Sequence, residues 1–78
     1  MKIIFHPHAI IKLAERNLDK SMVEEGINNP DRVLDGRHGR RIAQKVYGRY
    51  VLRIVYEEHK AHILVITAYL ARPQRYVK

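Results

Sequence analysis

Apolar residues recur with two different periods along this chain, and the change falls near Pro30. A short isoleucine-rich run at 2–5 is closed by His6-Pro7 and reads as an opening strand. From Pro7 the spacing becomes helical, with Ile10, Ile11, Leu13, Ala14 and Leu18 forming one greasy side. Proline suits the first turn of a helix, where its missing amide would have had no partner. Asp19 or Ser21 can cap a second helix, and Ser21 with Glu24 spells a capping box. Met22, Val23 and Ile27 supply its apolar stripe until Asn28-Asn29-Pro30 stops it.

Beyond Pro30 the period drops to two. A short strand at 32–35 precedes the loop Gly36-Arg37-His38-Gly39. Ile42, Gln44 and Val46 then alternate with Arg41, Ala43, Lys45 and Tyr47; after Gly48, Tyr50, Leu52, Ile54 and Tyr56 alternate with Arg49, Val51, Arg53 and Val55. The run 62–70, after the turn residues 57–60, is apolar on both parities except at Thr67 and Tyr69, the mark of a strand covered on both faces inside a sheet. Helices followed by strands, in the order βααββββ, predict an α+β domain with two short helices packed on one antiparallel sheet.

Seventy-eight residues make a single core, because a chain of this size buries only about 60% of its unfolded surface. No cysteine is present to staple that core or to bind a metal through thiolates, so a binding partner is the natural source of extra stability. The longest apolar runs are too short to cross a bilayer, and the N-terminus lacks the apolar stretch of a signal peptide, which together predict a cytoplasmic protein. Fifteen Lys and Arg against eight Asp and Glu leave a formal charge of +7. Most of those cations follow Gly36, where the only acids are Glu57 and Glu58. Such a field attracts phosphate backbones or acidic proteins, with an affinity that falls as salt rises. With one Phe and no Trp, no segment has the broad apolar face of a membrane-surface helix, so no membrane partner is expected.

Three groups of side chains carry candidate chemistry. His8, Lys12 and Arg16 are four apart and align on one side of the first helix. RNA is cleaved without metal when a base takes the 2'-hydroxyl proton while cations stabilise the crowded phosphate and an acid protonates the leaving oxygen, and those residue types are the ones in the row. His8 lies in the first turn, where the positive end of the helix dipole disfavours imidazolium. The plain alternative is a solvated polar face opposite an apolar stripe. Arg53 sits with Val51 and Val55 on one side of an inner strand, either as a phosphate ligand or paired with Glu57 or another carboxylate as structural glue. Arg40, Arg41 and Arg49 are surface cations suited to positioning a nucleic-acid backbone. In the tail, Thr67, Tyr69, Arg72, Arg75 and Tyr76 interleave rings with guanidinium groups, so that rings could stack on bases while arginines hold phosphates; Tyr69 could equally be core. His6-x-His8 and His59-x-x-His62 have no carboxylate or cysteine spaced with them, so neither a metal nor another cofactor is expected.

His8-Ala9 with a basic residue four after the histidine, Glu15-Arg16, a second helix ending near Asn29-Pro30, Leu52-Arg53-Ile54-Val55-Tyr56 and Val65-Ile66-Thr67-Ala68-Tyr69 together resemble a widespread family of small domains of unknown function related to the RelE and BrnT toxins. The resemblance runs from the first strand through Tyr69. Lys12 stands where that family usually has arginine, which keeps the charge and loses the bidentate fork. The resemblance implies a RelE-like fold and a metal-independent endoribonuclease that stops translation, cutting RNA free or on the ribosome. It further implies an acidic antitoxin encoded nearby that covers the active face. His8, Lys12 and Arg16 are then catalytic candidates with Arg53, while Tyr69, Arg72 and Tyr76 engage RNA. A non-catalytic RNA-binding or antitoxin-binding module on the same scaffold, or a basic subunit that docks an acidic protein, fits the same sequence. Oligomeric state is left open.

Overall fold

The computed structural model describes residues 2–72. Elements follow one another as β1 (Lys2–Phe5), α1 (Pro7–Glu15), α2 (Lys20–Asn28), β2 (Arg32–Asp35), β3 (Arg41–Tyr47), β4 (Tyr50–Glu58) and β5 (His62–Ala71). They form a small α+β structure of two helices and one five-stranded mixed sheet, ordered β1-β5-β4-β3-β2.

The expectation of a wholly antiparallel sheet is corrected at β1, which pairs in parallel with β5, Ile3 beside Ile63 and Phe5 beside Val65. Strands β2 to β5 are joined by short turns and so must run antiparallel. No turn links β1 to β5: the chain leaves β1 through both helices to the far edge, and its direction is free of the hairpin constraint. Tyr47 faces Tyr50 across the two-residue turn between β3 and β4, where Gly48 adopts φ +56° without the strain a Cβ would bring.

Helix α1 begins with Pro7 and is capped by His6, whose Nδ1 accepts the His8 backbone N–H at 3.0 Å. It stops before Leu18 because Asn17 turns left-handed at φ +54°, and the Leu18 amide folds back to donate to the Leu13 carbonyl. Leu18 is buried all the same, from outside the helix. The Ser21–Glu24 capping box is not formed. Asp19 holds the N-cap position in an extended conformation, without a side-chain hydrogen bond, so Ser21 already lies inside the helix.

Both helices cover one face of the sheet. Ala9 and Leu13 of α1 and Val23 of α2 close over Ala43, Leu52, Ile54, Tyr56, Ile63, Val65 and Ala68. A register shift between Val55 and Tyr56 pairs Thr67 with Val55 but Val65 with Tyr56. Ile66 is the extra residue of this bulge, and it inverts the parity of β5. Ile63 and Val65 before it, and Ala68 after it, thereby reach the same core, while Thr67 and Tyr69 fall beside Val55 and Arg53 on the face turned away from the helices.

Candidate functional site

The row His8, Lys12, Arg16 lies along α1 and its C-cap, but its members do different things. His8 is exposed at the first turn. The Lys12 Nζ reaches Glu15 Oε1 at 3.3 Å, an exposed pair one turn apart. Arg16, also exposed, crosses to the sheet: its Nη1 donates to the Ala68 carbonyl at 2.9 Å and to Thr67 Oγ1 at 3.1 Å. Among the described residues Nε and Nη2 of Arg16 make no hydrogen bond. His8 and Arg16 stand eight positions apart, about 12 Å along the axis. The histidine and the anchored guanidinium are therefore neighbours on one side without touching.

Arg53 does not face that row, because the sheet lies between them. Its in-register neighbours are Gln44 and Tyr69, it is 7% exposed, and its guanidinium lies 5.8 Å from the centre of the Tyr69 ring. A cation over an aromatic face in a largely water-free setting holds that ring in place. The alternative pairing of Arg53 with Glu57 is not the one Glu57 makes. Its carboxylate accepts from Arg40 Nε at 3.1 Å on one oxygen, and lies 3.2 Å from His59 Nε2 on the other. Arg41 meets Glu58 at 3.3 Å.

Arg40 and Arg41 thus sit at one end of the β3–β4 ladder, while Arg49 occupies the turn at the other, about 20 Å away by strand rise. Arg72, exposed, follows the end of β5 near Val51 and belongs to the Arg49 end. The structure therefore divides Arg40, Arg41, Arg49 and Arg72 between two ends of the sheet. Arg75 and Tyr76 lie outside the described residues. Among the described residues no group of three or more His, Cys, Asp or Glu is placed to hold a metal ion; His59 and His62 instead stack with ring centres 4.7 Å apart.

The hydrogen bond from Arg40, then the contact with His59, holds the Glu57 carboxyl below its ordinary value of 4.5. A depressed carboxyl stabilises the fold fully above its unfolded pKa, and that contribution fades as pH falls through the folded value. A Glu57→Gln variant is therefore expected to lose less stability than the parent below about pH 4.5, in denaturant titrations repeated down the pH scale. Parallel acid curves for the two proteins would show that the pair is idle. Burial, then Glu58, pushes the Tyr56 hydroxyl above 10.0 against the opposing pull of Arg41, so that ring stays neutral where cells work.

Sequence reasoning passed over Glu57 as a hub and Gln44, 1% exposed beside Arg53. A signal existed for both: Glu57 is one of two acids in a basic half, and Gln44 breaks the apolar alternation of Ile42 and Val46.

Residues 5–70 match the family described as Domain of unknown function (DUF4258), and the chain belongs to that family. Neither the curated proteins nor the solved structures provide a match. The resemblance to RelE and BrnT toxins rests on sequence motifs alone.

Proposed function

We propose that this domain binds single-stranded RNA, with a phosphate seated at Arg16 where α1 meets β5. The observation that carries this reading is the way Arg16 is held. One nitrogen is fixed by two hydrogen bonds to β5, and the remaining donors of an exposed guanidinium have no hydrogen-bond partner among the described residues. A pre-positioned fork loses little freedom when it takes a phosphate. Tyr69, set by Arg53, supplies an aromatic ring on the adjoining sheet face, and the +7 charge supplies the attraction that brings a polyanion in. Arg72 and Arg49 extend the contact; Arg40 and Arg41 serve the other end.

A second reading adds chemistry to the same place: a toxin-type, metal-independent endoribonuclease that an acidic antitoxin would silence. What favours it is His8 exposed on the same side of α1 as Arg16, with Lys12 between them. His8 then acts as base or acid toward the 2'-hydroxyl, Lys12 and Arg16 stabilise the phosphate, and Arg53 acts through Tyr69.

One experiment separates the readings. Wild type and His8→Ala are incubated with labelled RNA over a salt series, and both retained complex and product ends are measured. Binding with intact RNA in both proteins supports the binding module. Fragments ending in 2',3'-cyclic phosphate, absent with His8→Ala, support the ribonuclease. If neither protein holds RNA at physiological salt, the charge serves an acidic protein instead and the RNA reading falls.

A further inference from the structure

Ile42, Val55 and Thr67 stand in register across three neighbouring strands on the face turned away from the helices. At one end of this line Thr67 holds Arg16. At the other, Ile42 and Val55 line an open pocket of about 620 Å³ beside the turn between β2 and β3. Two strand spacings, about 10 Å, separate its floor from the Arg16 anchor.

The turn that borders this pocket is built from Gly36 to Arg40. The Gly36 amide donates to the Arg40 carbonyl at 2.8 Å and the Arg40 amide to that of Arg37 at 3.1 Å. At its tip His38 and Gly39 are consecutive left-handed residues, φ +59° and +73°. A left-handed histidine is uncommon and places an imidazole where glycine would be at ease. Arg37 and His38 are exposed, and Arg40 has its Nε fixed by Glu57, while its other guanidinium nitrogens make no hydrogen bond among the described residues. An apolar floor under two guanidinium groups and an imidazole suits a flat ring that carries an anion, and the size lies within the usual range for small-ligand sites.

Resting on the RNA-binding reading, we propose that this cavity seats one unpaired nucleobase over Ile42 and Val55, with its flanking phosphate on Arg37 and Arg40. Asp35, at the cavity wall, offers the one carboxylate there to a base's amino edge. The same strand of RNA continues along the register line to Arg16. The domain thus reads one position by its ring and the next by its backbone.

The test compares a fluorescein-labelled RNA octamer with an abasic ribose-phosphate strand of the same length, by anisotropy at physiological salt. Wild type, Arg37→Ala/His38→Gly and Tyr69→Ala are titrated. Glycine at the left-handed position relaxes the backbone, so the double variant is expected to fold, which circular dichroism checks. Wild type is expected to prefer the base-bearing strand by about tenfold, the effect of one stacked base, and the double variant to lose most of that ratio. Equal affinity of wild type for both strands overturns the cavity proposal and leaves RNA binding standing. So does a ratio lost in Tyr69→Ala but kept in the double variant. Failure of wild type to bind either strand removes the RNA reading and this proposal with it.

Discussion

A Gly26→Leu variant is expected to lose about 3 kcal/mol of stability, the upper end of what overpacking costs. Gly26 is buried where α2 crosses the sheet, and a Cβ there would stand 2.5 Å from Ile54 Cδ1, with Leu52 Cδ2 and Lys45 Cβ each at 3.7 Å. Ile54 has no exposure. Alanine at the same position should be far milder, since its better helix propensity, about 1 kcal/mol over glycine, offsets part of the collision. Trimming the obstructing methyl with Ile54→Val should make Gly26→Ala less harmful than in the parent background, a coupling that a double-mutant cycle reads directly. For a domain of this size a 3 kcal/mol loss lowers the melting temperature by about 15 °C. A Gly26→Leu protein that melts within a few degrees of the parent would show that α2 does not press on Ile54.

Removing Arg16 is expected to weaken binding of single-stranded RNA by about tenfold, the worth of one charged hydrogen-bonded contact. Its salt dependence carries the diagnosis. One phosphate contact fewer makes the slope of log affinity against log salt shallower by about 0.7 for a single strand. Arg16→Lys should restore that slope while leaving the affinity below the parent, because an ammonium keeps the charge without the fork that spans Thr67, Ala68 and a phosphate. Lys12→Ala is the comparison, its ammonium being shared with Glu15. Circular dichroism of each variant checks that the loss is not one of folding, as Arg16 also bonds the sheet. An unchanged slope in Arg16→Ala would end the claim that a phosphate sits there.

Much of the architecture could be read from residue spacing. The change of period near Pro30, the glycine turn at Gly48 and the Asn29-Pro30 stop all express local backbone preferences, and the elements lie where those preferences put them. What escaped is what local preference does not encode. The run 62–70 reads as apolar on both parities partly because a bulge at Ile66 shifts the inward positions from odd to even. The parallel pairing of β1 is set by the opposite end of the chain. Ser21 has the chemistry of a cap but not the backbone geometry, since the helix had already begun.

The same division holds at the candidate site. Alignment of His8, Lys12 and Arg16 on one side follows from helical periodicity alone. That Arg16 anchors to β5, that Arg53 lies behind the sheet with Tyr69, and that Glu57 serves Arg40 and His59 are tertiary contacts between residues up to 52 positions apart, which no spacing rule contains.

Strand β1 covers β5 only as far as Val65. Beyond it, among the described residues, no strand pairs with that edge, and the Ala68 carbonyl there is taken by Arg16. An open edge is a template on which a second copy can add a strand, and a cation planted in its middle is a common guard against that. A second copy adding a strand there would first have to displace Arg16 from the Ala68 carbonyl, so the hydrogen bond that orients the guanidinium also occupies a position on the open edge.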